Sequence, residues 1–176
     1  MKSSMLRSAD LTRRGLFVSL AAFGLAGCQT IGRTSLAPPG FRIARFKVDA
    51  QPLRDLGGGY NADFLEKAVT EEAKKQFAPF LGGPKDNELT LQIGALQMQS
   101  QPDERYDVGF GGSSNDYLDG FVIVKQGANV TRTKFLTVTP SSSGGAWYLP
   151  DNVWRRETAL AQMYVDWVAR EVFGRF

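Results

Sequence analysis

The chain of 176 residues contains no histidine, and its one cysteine, Cys28, has no second thiol to pair with. These two facts remove His-based general acid–base work, Ser–His and Cys–His nucleophile pairs, and the usual zinc ligand sets. Catalysis would have to rest on paired carboxylates, a lysine or a tyrosine, and no carboxylate is singled out by its spacing. The chain therefore reads as non-enzymatic, with no catalytic residue, metal or cofactor expected.

Three stretches could still carry binding chemistry. In "YDVGFGGSSNDYLDG" (106–120), Gly109, Gly111 and Gly112 with Ser113 and Ser114 have the look of a phosphate cradle. A phosphate cradle, however, runs from a strand into a helix and brings a basic group; here no basic residue lies between Arg105 and Lys125, and a strand is expected to follow. The same region holds Asp103, Glu104, Asp107, Asp116 and Asp119, oxygen ligands that calcium could use, but without the D-x-D-x-D-G spacing. A solvated acidic, glycine-rich loop over 100–118 is the expectation. The third stretch is aromatic and basic: Trp147, Tyr148, Trp154, Arg155 and Arg156. Trp, Tyr and Arg dominate interface energetics, which makes these five the candidate partner-binding residues. The competing reading is that Trp147 or Tyr148 packs as a staple across the helix entry.

The elements that must position these groups follow from periodicity. Residues 41–50, "FRIARFKVDA", alternate as a strand with one slip of phase. Three glycines, Gly57 to Gly59, mark a loop, and Asn61 is the expected N-cap of a helix over 62–78. That helix carries Phe64, Leu65, Ala68, Val69, Ala73 and Phe77 along one stripe, and Pro79 ends it. Residues 88–99 form a strand whose phase flips at Gly94-Ala95, predicting a bulge. Residues 120–126 and 130–140 read as a hairpin. A final helix, 152–173, has Asp151 as its expected N-cap and Leu160, Met163, Tyr164, Trp167, Val168 and Val172 on its apolar side. Strand-helix-strand-strand-strand-helix predicts an α+β domain: a four-stranded, mainly antiparallel sheet with two helices on one face.

The N-terminus is of another kind. Lys2, Arg7, Arg13 and Arg14 precede an apolar run from Leu16 to Ala26, too short to cross a bilayer, and the run closes on small residues directly before Cys28. Residues 1–27 carry four of the basic residues and one acid, so residues 28–176 hold seventeen of each sign and are neutral. The pI near 9.1 thus comes from the leader and points to no nucleic-acid partner. After Cys28, "QTIGRTSLAPPG" reads as a tether over 28–40, leaving 41–176 as a single domain.

Leu25-Ala26-Gly27-Cys28 resembles the lipobox of bacterial lipoproteins. The resemblance implies cleavage before Cys28, lipidation of Cys28, and a periplasmic protein held on a membrane. Gln29, where inner-membrane retention uses aspartate, implies the outer membrane. "TRRGLF" resembles a twin-arginine export signal in part, with its apolar pair reversed and no following lysine, which leaves the export route open. The order of elements is similar to that of the lipopolysaccharide-assembly lipoprotein, and "GFGGSS" resembles a stretch in uncharacterised outer-membrane lipoproteins. Together these readings predict a non-catalytic, lipid-anchored envelope module for an unidentified envelope protein. A glycan- or lipid-binding module is the alternative, and an enzyme using carboxylates comes last.

Overall fold

The computed structural model describes residues 35–98, 115–146 and 148–174. The lipobox with Cys28, the arginine pair, "GFGGSS", Asp103, Glu104, Asp107 and Trp147 lie outside the described residues. The elements are β1 (Arg45–Asp49), α1 (Gln51–Asp55), α2 (Gly59–Phe77), β2 (Asn87–Gln97), β3 (Asn115–Gln126), β4 (Asn129–Pro140) and α3 (Asn152–Phe173), with 3-10 turns at Ala78–Phe80 and Ser141–Gly144.

The sheet order is β1-β2-β3-β4; β1 runs parallel to β2, and the other pairs are antiparallel. This is the expected α+β sandwich. Leu89, Leu91, Ile93, Leu118, Val122, Val124 and Phe135 line the sheet's buried face. Against them lie Leu65, Val69, Ala73 and Phe77 of α2 and Leu160, Tyr164, Val165, Val168 and Val172 of α3, one stripe per helix. Full burial of each Leu, Ile or Val contributes about 1.5–3 kcal/mol, enough for these stripes to decide which face of each helix turns inward.

The register shift predicted at Gly94-Ala95 is present between Ile93 and Ala95. Opposite it, a Cβ on Gly120 would stand 2.0 Å from the Gln92 carbonyl oxygen, so only glycine lets β2 and β3 close there. The Tyr164 hydroxyl, buried beneath the sheet, donates to the Phe121 carbonyl at 3.3 Å. The β3–β4 hairpin turns on Gly127-Ala128 with φ +58° at Gly127, a glycine-first two-residue turn whose twist suits the strands.

Several boundaries differ from the sequence expectation. β1 is shorter than 41–50: Ile43 makes an isolated bridge to Leu81, and the regular strand starts at Arg45, which is where the phase slips. α2 begins at Gly59, so Asn61 lies inside the helix and Gly58 holds the N-cap position. Asp63 is used instead by Arg54 of α1, whose Nη2 reaches Asp63 Oδ1 at 2.7 Å and also meets Glu66. Only Gly57 of the glycine triplet has positive φ, at +89°. Asp151 does stand at the N-cap of α3, but its side chain makes no cap; it pairs with Arg155 Nε at 2.8 Å.

The domain also starts earlier than residue 41. Ser35 Oγ and the Leu36 N–H both donate to the Glu171 carbonyl, at 2.9 and 2.8 Å, supplying donors to the open C-terminal end of α3. Ala37 and Phe41 are buried, and Phe173 stacks on Phe80 with centroids 4.1 Å apart. The chain therefore enters the domain at the C-terminal end of α3. No helix among the described residues is long and apolar enough to cross a membrane.

Candidate docking surface

The first turn of α3 carries three of the candidate partner-binding residues, Trp154, Arg155 and Arg156, and sends them in different directions. Trp154, half-buried, packs on α2, with ring centroids 4.5 Å from Phe64 and 5.2 Å from Tyr60. Tyr60 itself is 73% exposed, and Leu56 and Val153 are exposed beside it in sequence and along the helix start. Tyr148 is 70% exposed in the loop that leads into α3, and Arg155 is exposed with its guanidinium on Asp151. Trp154 is thus both a helix–helix contact and the floor of a surface aromatic group.

Arg156 does not belong to that surface. One residue further around the helix, it is buried, and its Nε donates to Asp116 Oδ2 at 2.7 Å while Nη2 meets the other carboxylate oxygen. Asp116, expected in a solvated loop, sits fully buried in β3 because this cation compensates it. Asp119, named with it among the possible calcium ligands, is also on β3 and pairs with Lys134 Nζ at 3.2 Å on the sheet's open face. Neither acid is therefore placed on a calcium loop, and no group of three or more Cys, Asp or Glu among the described residues is placed to hold a metal.

Sequence reasoning missed Tyr60 and Phe64 as members of the aromatic surface. A signal existed: Tyr60 and Phe64 are four residues apart and so share one face of α2. It also missed Glu157. This side chain is fully buried on the inward face of α3, and neither carboxylate oxygen has a hydrogen-bond partner. Burial pushes its carboxyl up to about 7 from an ordinary 4.5.

Buried side chains of the sheet and of both helices meet in one cluster between the layers. A shallow cleft of about 260 Å³ lies instead on the open face of the sheet, lined by Ala95, Gln97, Tyr117, Asp119 and Leu136. The bulge makes room for it by setting Ala95 and Gln97 opposite Asp119 and Tyr117.

No protein-family model matches the chain, and no curated protein matches it. Among solved structures, one described as a "putative lipoprotein" from Caulobacter crescentus aligns over 71% of this chain and 82% of its own, with 16% identity and a TM-score of 0.35. A likeness of that size decides neither the fold nor the function of this chain.

Proposed function

We propose that this protein is a bacterial envelope lipoprotein, anchored through lipid on Cys28, whose domain is a non-catalytic docking module for an envelope protein. The anchor rests on Leu25-Ala26-Gly27-Cys28 and the leader before it. Each methylene buried in a bilayer contributes about 0.8 kcal/mol, so several acyl chains hold a domain firmly. Gln29 favours the periplasmic face of the outer membrane over the inner membrane.

The observation that carries the docking reading is the position of the Tyr60–Trp154–Phe64 group. The chain enters at Glu171, and Trp154 lies seventeen residues back along the same helix, about 25 Å away at 1.5 Å per residue. A domain tethered at one end of α3 presents its exposed aromatics at the other, away from the surface that holds the tether. Tyr60 and Trp154 are the anchors of this surface, and exposed Tyr148 and Arg155 stand just before and just after the start of α3.

Photo-crosslinking from position 60 in native envelopes tests this. One dominant crosslinked envelope protein is expected, lost in Trp154→Ala while the variant stays folded. Crosslinking that is unchanged by Trp154→Ala would contradict the docking surface.

The open-face cleft favours a second reading, a glycan-binding module. An aromatic ring, an amide and a carboxylate at Tyr117, Gln97 and Asp119 are groups that stack on and hydrogen-bond a sugar. Envelope glycan fragments retained by the protein and released by Tyr117→Ala would support it, and no retention by the native chain would exclude it.

A further inference from the structure

The two edges of the sheet are not alike. β1 is short, with five residues, and it carries exposed Arg45 and Lys47, features that keep an edge from pairing. β4 is twelve residues long, and among the described residues nothing pairs with its outer edge. Its two cations do not guard that edge. Arg132 lies over the Phe121 ring, 3.8 Å from the centroid, and donates to Gln92 Oε1 at 3.1 Å; Lys134 is on Asp119.

Apolar side chains flank this edge on both faces. Val130, Leu136 and Val138 are exposed on the open face, and Met163 and Trp167 of α3 are partly exposed on the helix side, where Trp167 packs edge-on against Phe135. On the same side the Thr137 and Thr139 hydroxyls are buried without a hydrogen-bond partner.

The odd-numbered positions of β4 read the same way in both directions about Phe135. Residues 131–139, "TRTKFLTVT", place Thr at 131, 133, 137 and 139 around one Phe, with Arg132 and Lys134 on one side and Leu136 and Val138 on the other. We propose that β4 pairs antiparallel with β4 of a second copy, with the two-fold axis at Phe135, to give a continuous eight-stranded sheet.

The backbone phase allows this register. A two-residue turn makes Gln126 and Asn129 the closing hydrogen-bonded pair, so the odd-numbered residues of β4 bond to β3. The N–H and C=O groups of Val130, Arg132, Lys134, Leu136 and Val138 then point to the free edge. With the axis at Phe135, Lys134 exchanges hydrogen bonds with Leu136 of the second copy, and Arg132 does so with Val138.

No cation faces a cation. In the closer, non-hydrogen-bonded positions, Phe135 meets Phe135, Thr133 meets Thr137 and Thr131 meets Thr139. Aromatic pairs and Thr–Thr hydrogen bonds are favoured cross-strand pairs, and these supply the orphaned hydroxyls of Thr137 and Thr139 with partners. A strip about 40 Å long and about two layers, or 20 Å, tall is of the order of the 800 Å² per partner found in stable interfaces.

The test uses the full-length protein extracted from membranes in detergent. Sedimentation should show a dimer, and Leu136→Lys/Val138→Lys, which sets cations against Lys134 and Arg132 of the second copy, should weaken it at least about tenfold. Both positions are exposed, and circular dichroism checks that the variant folds. Register is read separately: differently tagged Lys134→Cys and Leu136→Cys chains, co-expressed and oxidised, should form a mixed disulfide far more than either chain forms with itself. A monomeric native protein, a dimer indifferent to the two lysines, or crosslinks without preference for the mixed pair would each overturn the proposal.

Discussion

Arg156 and Asp116, forty residues apart, meet inside the domain through two hydrogen bonds and fasten the start of β3 to the first turn of α3. Asp116 is wholly buried and Arg156 nearly so, so each is the other's compensation for lost water. Removing one partner leaves an uncompensated charge. Asp116→Ala is expected to cost about 3–5 kcal/mol, whereas Asp116→Leu/Arg156→Met costs much less than the sum of its single changes. Urea unfolding of the double variant and its two single changes measures this; a double variant that loses the full sum of the single losses would show that the pair does not act as a unit.

Glu157 makes stability depend on pH in the opposite direction from an ordinary salt-bridged acid. Its carboxyl titrates near 7 in the folded protein against 4.5 when exposed, so the native state binds the proton more tightly than the unfolded chain. Stability should therefore fall as pH rises from about 4.5 to about 7, by roughly 3 kcal/mol, and level off above. Glu157→Gln should remove most of that slope, since the amide carries no charge to bury. Denaturant midpoints at pH 5 and pH 8 decide it, and an unchanged slope in the variant would assign the dependence to other groups.

At Gly120 the constraint is steric. A methyl group there would meet the Gln92 carbonyl oxygen at 2.0 Å, a backbone atom that cannot turn aside. Gly120→Ala should destabilise by about 1–3 kcal/mol or more through overpacking. Tyr164→Phe, which only removes the hydroxyl bonded to Phe121, should cost about 1 kcal/mol. Thermal unfolding ranks the two, and the opposite order would mean that the strands separate easily at this point.

The features legible in the sequence are those that local pattern controls. The apolar stripe of α3 gives its span from Asn152 to Phe173, and the change of phase at Gly94-Ala95 marks the bulge. The hairpin turn is equally plain from Gly127. What local pattern conceals is compensation at a distance. Asn115, Asp116 and Asp119 are poor strand formers, and nothing nearby shows that Arg156 and Lys134 neutralise the two acids. Arg156 itself follows an exposed Arg155, yet Arg156, Leu160 and Tyr164 recur every four residues along the buried face, a spacing that places it inside. The start of the domain at Ser35 was hidden for a similar reason: the need it meets is that of the Glu171 carbonyl at the far end of the chain.

Cys28 is the residue on which the proposed location depends, and mass spectrometry of the protein purified from its own envelope tests it directly. The account predicts that the mature chain begins at Cys28 and carries diacylglycerol on the sulfur and an acyl group on the new amino terminus, with Cys28→Ser accumulating as the uncut precursor. A membrane-bound chain that retains residues 1–27, or one that is cut elsewhere and leaves Cys28 as a free thiol, would contradict it.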